Sequence, residues 1–536
     1  MTFDMMKHIL LISLLGAGLM MSCFEDKGNY DYSDFTDPEI SNVEDSYSKI
    51  SFKDTLFINP EMTPADAEYD YLWTLNEAYV SVPSSGDGIL KDTISMEKNL
   101  VYPMDLPTGT YEVCLSVKNR ENGYTVFKNI DLHVQTEFSL GFYVLKETPE
   151  GNTEVDLHAP EALLDNLIEK SVGTAMAGKP KSMGLIFSYC YIDPETGGYI
   201  YPRALSVCVE NDIRIFSLDD MTTIFTHEEM FYGDMPANDV PMYLYPNGYI
   251  IAYVSEAGVN YNYQAPRNVW GGIFSAGKFG VPLAIEKGYK PNINMVYSPN
   301  AAYGYFFDEL NHRFFMVDFN GQQITLFDEN DADDKPGAYS PNNVPADYQL
   351  IFFGRNNVTG EGADEQGYAL FKDAQGLMHL YVLSTSGVFS NPILDVIDIP
   401  ADKRMSDATI FSSNELGASR IYFNSGNEVW SYNVTNGEEK KLELQGFGGG
   451  EITYISNRYW TYADDAENNF NYLAVGTYQN GEYKIYMYET VGGEPTPGKA
   501  PARILEGEGK AIKVHFNSPM MDLDNLDASY YYPCSF

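Results

Sequence analysis

Few side chains in this sequence stand at spacings that chemistry requires. His227-Glu228-Glu229-Met230 opens like a zinc-protease helix, but position 231 is Phe and the second histidine ligand is missing. Gly446-Phe447-Gly448-Gly449-Gly450 runs into Glu451 with no strand-helix-strand frame around it, so it reads as a turn and not a phosphate cradle. Gly507-Glu508-Gly509-Lys510 lacks the phosphate-loop spacing, and no Gly-x-Ser-x-Gly elbow occurs. The acidic run Asp328–Asp334 fails as a calcium loop: counted from Asp331, the third ligand position is Lys335. A solvated acidic loop accounts for it. Glycoside hydrolysis needs two carboxylates roughly 5–10 Å apart in space, and 76 acidic residues offer no way to choose a pair. No catalytic residue, metal ligand or cofactor site is assigned.

Contact chemistry is better represented. Val259–Trp270 is long and polar for a core strand, and it carries Tyr261, Tyr263, Arg267 and Trp270. Tyr, Arg and Trp are the side chains that dominate recognition surfaces for sugars, peptides and proteins. Trp460 and Tyr462, ahead of an Asp-rich loop, form a second candidate surface. Ordinary packing between sheets is the competing reading for both.

The rest of the chain must position these groups. It has 536 residues, 34 Lys+Arg against 76 Asp+Glu, and a net charge of −42. That balance excludes a nucleic-acid binder, which needs a basic face, and docking on an anionic bilayer by charge. Hydrophobic content of 44% is enough for a core, and 42 Tyr, 30 Phe, 45 Gly and 28 Pro favour strands and turns. Five cysteines are too few for a disulfide framework. Cys190 and Cys208 fall on neighbouring predicted strands, where an oxidising compartment could join them; packed thiols are the favoured reading.

Residues 1–22 read as a signal segment. Lys7 precedes an apolar run from Ile9 to Met21, too short to span a bilayer. Leu19-Met20-Met21-Ser22-Cys23 resembles a bacterial lipobox, with Met20 in place of the usual Leu, and predicts lipidation at Cys23. The following tether, residues 23–36, begins Phe24-Glu25-Asp26-Lys27 and resembles the export signal of surface lipoproteins of Bacteroidota. The expected address is the outer membrane, lipid-anchored and facing the medium.

Residues 37–136 predict a β-sandwich. Tyr71, Trp73 and Leu75 alternate along one strand; Tyr111, Val113, Leu115 and Val117 alternate along another, and Asn122-Gly123 marks a hairpin. Trp73 reads as a core residue and not a ligand platform. The Tyr-x-Trp-x-Leu and Gly-Thr-Tyr-x-Val-x-Leu-x-Val strands resemble a PKD domain of immunoglobulin-like fold. With the lipobox and the tether, the chain resembles the PKD-like family of Bacteroidota lipoproteins.

From 137 to 536, hairpins recur. Turn signals such as Glu150-Gly151-Asn152, Pro246-Asn247-Gly248, Ser425-Gly426-Asn427 and Asn480-Gly481 separate alternating strands in seven places, several with a third strand after them, including Leu442–Leu444. Repetition at this interval predicts a β-propeller of seven blades, in an all-β chain. The last strand, Ala511–Phe516, is expected beside the first near 139–146, closing the ring. The one helix predicted is Pro160–Lys170. Tandem sandwiches are the alternative architecture.

The resemblance implies an accessory lipoprotein that works with a SusC/SusD-type pair, a TonB-dependent transporter and its lid, in the uptake of a peptide or glycan without catalysis. A propeller hydrolase or lyase acting on polysaccharide, and a structural or adhesive surface protein, are the alternatives.

Overall fold

The computed structural model describes residues 38–77, 92–236, 239–247, 250–263, 276–298, 303–318, 323–328, 339–356, 365–387, 390–461 and 463–519. The chain divides into two compact units, with the division between Val134 and Gln135. Cys23 and the segments expected to be a signal and a tether lie outside the described residues.

The first unit is a sandwich. Its main sheet has five strands in the order Ser46–Ile50, Thr125–Gln135, Gly109–Asn119, Tyr69–Glu77, Asp92–Ser95. Two smaller sheets pair Thr55–Ile58 with Leu100–Pro103 and Glu39–Ser41 with Glu61–Thr63. Trp73 lies opposite Leu115, and Val113 opposite Ile130. All four are buried in one core with Leu56 and Leu100. The Trp73 indole N–H donates to the Glu97 carbonyl at 3.0 Å, which satisfies its polar edge.

Among the described residues the second unit has seven antiparallel sheets of three or more strands, its blades, and one two-stranded sheet that pairs Tyr191–Ile192 with Tyr199–Ile200. Blade 1 contains Gly141–Glu147, Thr153–His158 and Leu163–Leu164, and blade 2 begins with Pro180–Ile186. Blade 3 has three strands, Pro241–Asn247, Ile250–Ser255 and Gly258–Tyr263. Blades 4, 5, 6 and 7 begin with Pro291–Ser298, Gln349–Asn356, Phe411–Ser413 and Glu451–Trp460. The C-terminal strand Lys510–Asn517 pairs with Gly141–Glu147, so the end of the chain supplies the inner strand of blade 1.

Ring closure follows from side-chain alternation. Successive residues of a strand point to opposite faces, and in each blade both faces meet another blade. Tyr143 and Leu145 pack on Met183 and Val207 of blade 2. Phe142 and Val144, one residue out of phase, pack on Ala474, Ile485 and Met487 of blade 7. Five further apolar clusters join blades 2 and 3, 3 and 4, 4 and 5, 5 and 6, and 6 and 7. Seven interfaces for seven blades make a closed ring. Double-sided burial explains the near-continuous apolar runs in strands such as Ile250–Ser255 and Met378–Ser384.

Local differences from the sequence reading have identifiable causes. The predicted helix Pro160–Lys170 is instead a short strand, Leu163–Leu164, followed by a helix over Leu167–Val172. Leu163 and Leu164 pair with His158 and Leu157. Helix formation is delayed because two carboxylates of the adjacent strand take its first N–H groups: Asp156 accepts from Asn166, and Glu154 from Ile168 and Glu169. The strand that follows the Arg420–Asn433 hairpin is Glu439–Lys441, the fourth of blade 6, ahead of the expected Leu442–Leu444; Leu442 is drawn into the core between blades 6 and 7.

Cys190 and Cys208 form no disulfide, and they and Cys114 are buried thiols. Burial raises the Cys190 thiol and pushes Cys208 up to about 12, so neither is a thiolate at neutral pH. In a C23S/C534S chain, Ellman's reagent is expected to label none of the three in native protein and all three in denaturant. Rapid labelling of the native chain would contradict this packing.

Candidate functional site

The sequence-predicted contact residues separate into different environments. Tyr261 lies in the third strand of blade 3, opposite Ala252, and its hydroxyl is 3.2 Å from that of Tyr245. The stretch Val259–Trp270 was expected to be too polar for a core strand, yet Gly258–Tyr263 is one. Its two asparagines are buried with their amide N–H groups paired: Asn260 Nδ2 donates to the Gly280 carbonyl at 2.7 Å, and Asn262 Nδ2 to that of Gly277 at 3.1 Å. The Tyr263 side chain, Arg267, Trp270 and Tyr462 lie outside the described residues. Trp460 is 0% exposed in the core between blades 7 and 1, packed with Phe516. It serves packing, and no ligand can reach its ring as the fold stands. His227 is structural as well: its Nε2 lies 2.9 Å from the Tyr253 hydroxyl and 3.1 Å from Asp239 Oδ2, all buried between blades 2 and 3.

A different constellation sits at the centre of the ring. The inner strands enclose a cavity of about 270 Å³ whose walls come from six blades: Lys181, Asn294, Phe352, Phe411, Arg458 and Lys513 each belong to a different one. Three cations thus converge in a chain of net charge −42. No Asp or Glu lines the cavity among the described residues. The remaining polar wall groups are hydroxyls and an amide, including Ser412, Ser456 and Asn294, beside the rings of Phe352, Phe411 and Tyr454.

Each cation is held in place by its strand. Lys181 Nζ donates to the carbonyls of Glu210 at 2.8 Å and Pro241 at 3.0 Å, bridging blades 2 and 3. Arg458 Nε donates to the Tyr454 hydroxyl at 3.2 Å on its own strand. Lys513 is carried by the closing strand and is buried. Burial and then the Arg458 charge lower its ammonium to about 7, against the pull of Glu415. Two residues on, His515 lies well below its usual range for the same reasons, burial first and then Arg458 and Lys513. Its Nε2 lies 2.8 Å from the Met183 carbonyl, so the neutral ring donates there.

Sequence reasoning missed this site because its members are scattered from position 181 to 513 and share no motif. Only the register of the closed ring brings them together. Chemically, the cavity offers positive charge and N–H and O–H donors to an anion, with apolar ring faces beside them. A second cavity, about 320 Å³ at the rim of blade 1, is lined by Lys146, Glu154, Glu169 and Glu508. Glu154 there already caps the short helix.

A sequence model of the PKD-like family matches residues 23–180, the sandwich and the first strands of blade 1. No curated protein matches. Among solved structures, a quinonprotein alcohol dehydrogenase-like protein from Bacteroides thetaiotaomicron is 14% identical, with 90% of this chain and 99% of that one covered and a TM-score of 0.36. Dihydro-heme d1 dehydrogenase NirN is 9% identical over 83% of this chain and 74% of its own, at a TM-score of 0.36. The Swd1 β-propeller domain from Myceliophteria thermophila is 14% identical over 57% and 84%, at 0.29. Likenesses this distant carry no functional argument, and the blade count rests on strand pairing and the seven interblade cores.

Proposed function

We propose that this chain is a surface-exposed outer-membrane lipoprotein, anchored through Cys23, that captures a nutrient for a SusC/SusD-type TonB-dependent transporter and does not itself catalyse a reaction. The observation that carries the capture reading is the central cavity, where side chains of six blades meet, donors or cations from five of them, without a carboxylate among the lining residues. Such a wall can hold an anionic group and lacks the pair of acids that glycoside hydrolysis uses. The lipobox resemblance supports the address, and the PKD-like resemblance supports the partnership. Propeller rims add variable loops on a fixed frame, a suitable platform for a transporter's mouth.

Tagged native protein, extracted from outer membranes in mild detergent, is expected to bring down a TonB-dependent transporter and its lid lipoprotein in near-equal amounts, read by mass spectrometry. Recovery of the protein alone would remove the accessory role.

One observation favours a second reading. An amine lowered to about 7 is tuned for general-base work at neutral pH, and the guanidinium beside it would offset a substrate carboxylate's charge, as proton abstraction by a lyase acting on an acidic polysaccharide requires. Appearance of unsaturated, ultraviolet-absorbing products from acidic polysaccharides would replace capture with that activity.

A further inference from the structure

We infer that the central cavity receives one acidic sugar unit, a hexuronate, with its carboxylate met by Arg458 and Lys513 and its hydroxyls by the Ser, Thr and Asn groups of the wall. This deepens the capture reading by naming the ligand class, and it rests on that reading only for the biological role of the bound sugar.

Four features of the cavity lead there. Its volume of about 270 Å³ falls just below the ~300–1,000 Å³ typical of drug-sized ligands, which suits a single terminal unit and not a length of polymer. Positive charge is concentrated where little water screens it: Lys513 is buried, and Arg458 lies close enough to lower its ammonium. A guanidinium and an ammonium together give both planar recognition of a carboxylate and a point charge. The walls alternate donor groups with aromatic rings, Phe352, Phe411 and Tyr454 beside Ser412 and Ser456. That mixture fits a ring bearing hydroxyls on its edges and C–H groups on its faces.

The missing acids decide between sugar and peptide. An amino acid or peptide terminus brings an ammonium that needs a carboxylate partner, and no Asp or Glu lines the cavity among the described residues. A uronate brings no cation. Glu415 acts on Lys513 electrostatically but is not among the lining residues. The lowered Lys513 ammonium adds a direction: a bound carboxylate favours its protonated form, so binding takes up a proton near neutrality and weakens as pH rises through about 7.

Isothermal titration calorimetry of the soluble full chain (C23S) tests this with D-glucuronate, D-galacturonate, D-glucose and L-glutamate at pH 6 and pH 8. At least one uronate is expected to bind saturably, with glucose at least tenfold weaker. Affinity should be lower at pH 8. R458Q and K513M should each lose tenfold or more in affinity while retaining the wild-type circular dichroism spectrum. If R458Q fails to fold, K513M decides, because removing a buried cation does not threaten the core. Absence of uronate binding, equal affinity for glucose, or full affinity in K513M would overturn the inference. Tight glutamate binding would reassign the cavity to amino-acid ligands and also overturn it. The transporter pull-down can fail while uronate binds, and the reverse, so the two readings fall separately.

Discussion

K513M is expected to be more stable than the wild-type chain below pH 7, by a few kcal/mol, with a midpoint several degrees higher. The reason is the position of Lys513 on the closing strand: its ammonium is buried and faces Arg458, and the opposing charge of Glu415 does not compensate. A lysine ordinarily near 10.5 that sits at about 7 when folded disfavours the charged form in the native state, at about 1.4 kcal/mol per pH unit. Between those values the unfolded chain binds more protons than the native one. Wild-type stability therefore rises with pH from about 7 toward 10.5, and the full penalty is present below 7. Methionine has similar length and no charge, so its advantage is largest at pH 6 and shrinks toward pH 10. Denaturant melts of both proteins across that range check the prediction. A variant less stable at pH 6, or an advantage that ignores pH, would sink it. With the calorimetry above, this residue is expected to show a stability gain together with a binding loss, the pattern of a residue kept for its ligand.

The largest loss is expected at Asp156. Its Oδ1 accepts from Lys146 Nζ at 2.7 Å, with side-chain exposures of 0% and 3%. Its Oδ2 accepts from the Tyr483 hydroxyl of blade 7 at 2.8 Å, and that hydroxyl also lies 2.8 Å from His158 Nε2. The backbone N–H of Asn166 uses the same carboxylate. D156A removes the carboxylate that pairs with the buried Lys146 ammonium at 2.7 Å and strips Tyr483 and Asn166 of that acceptor. Removal of one partner of a buried pair costs about 3–5 kcal/mol, and equilibrium unfolding should register a loss in that range. D156N, which keeps an acceptor, should recover part of it, and K146M/D156L should recover most. A D156A chain within 1 kcal/mol of wild type would show that the carboxylate does not hold the seam between the first and last blades.

Much of the fold was legible because turns are local. Asn480-Gly481 adopts positive φ at both residues, +55° and +90°, the left-handed geometry of a two-residue hairpin. A dipeptide is enough to predict that. Inner strands such as Pro180–Ile186 and Gln349–Asn356 have no such flanking signal, and their existence is decided by the neighbours that bury both faces. The third strand of blade 3 was hidden for a related reason. Asn260 and Asn262 look solvent-directed until the carbonyls of Gly280 and Gly277 are placed beside them. Trp460 misled in the opposite sense, since an aromatic near an acidic loop resembles a contact residue until ring closure seals it under Phe516. The cavity was the least legible feature of all. No spacing rule relates Lys181, Arg458 and Lys513, whose proximity is a product of seven sheets meeting in register.

The pairing of Gly141–Glu147 with Lys510–Asn517 also bears on how the molecule is made. The other six blades are each assembled from one contiguous stretch of chain and can form as that stretch emerges during synthesis. Blade 1 must wait, its inner edge unpaired, until residues near 517 arrive. An unpaired edge recruits other strands, so the nascent protein is open to mispairing for that interval. A prematurely terminated product never acquires the clasp and keeps the edge exposed, marking itself for proteolysis. Closure therefore acts as a length check on the polypeptide, passed only by chains that carry the last strand.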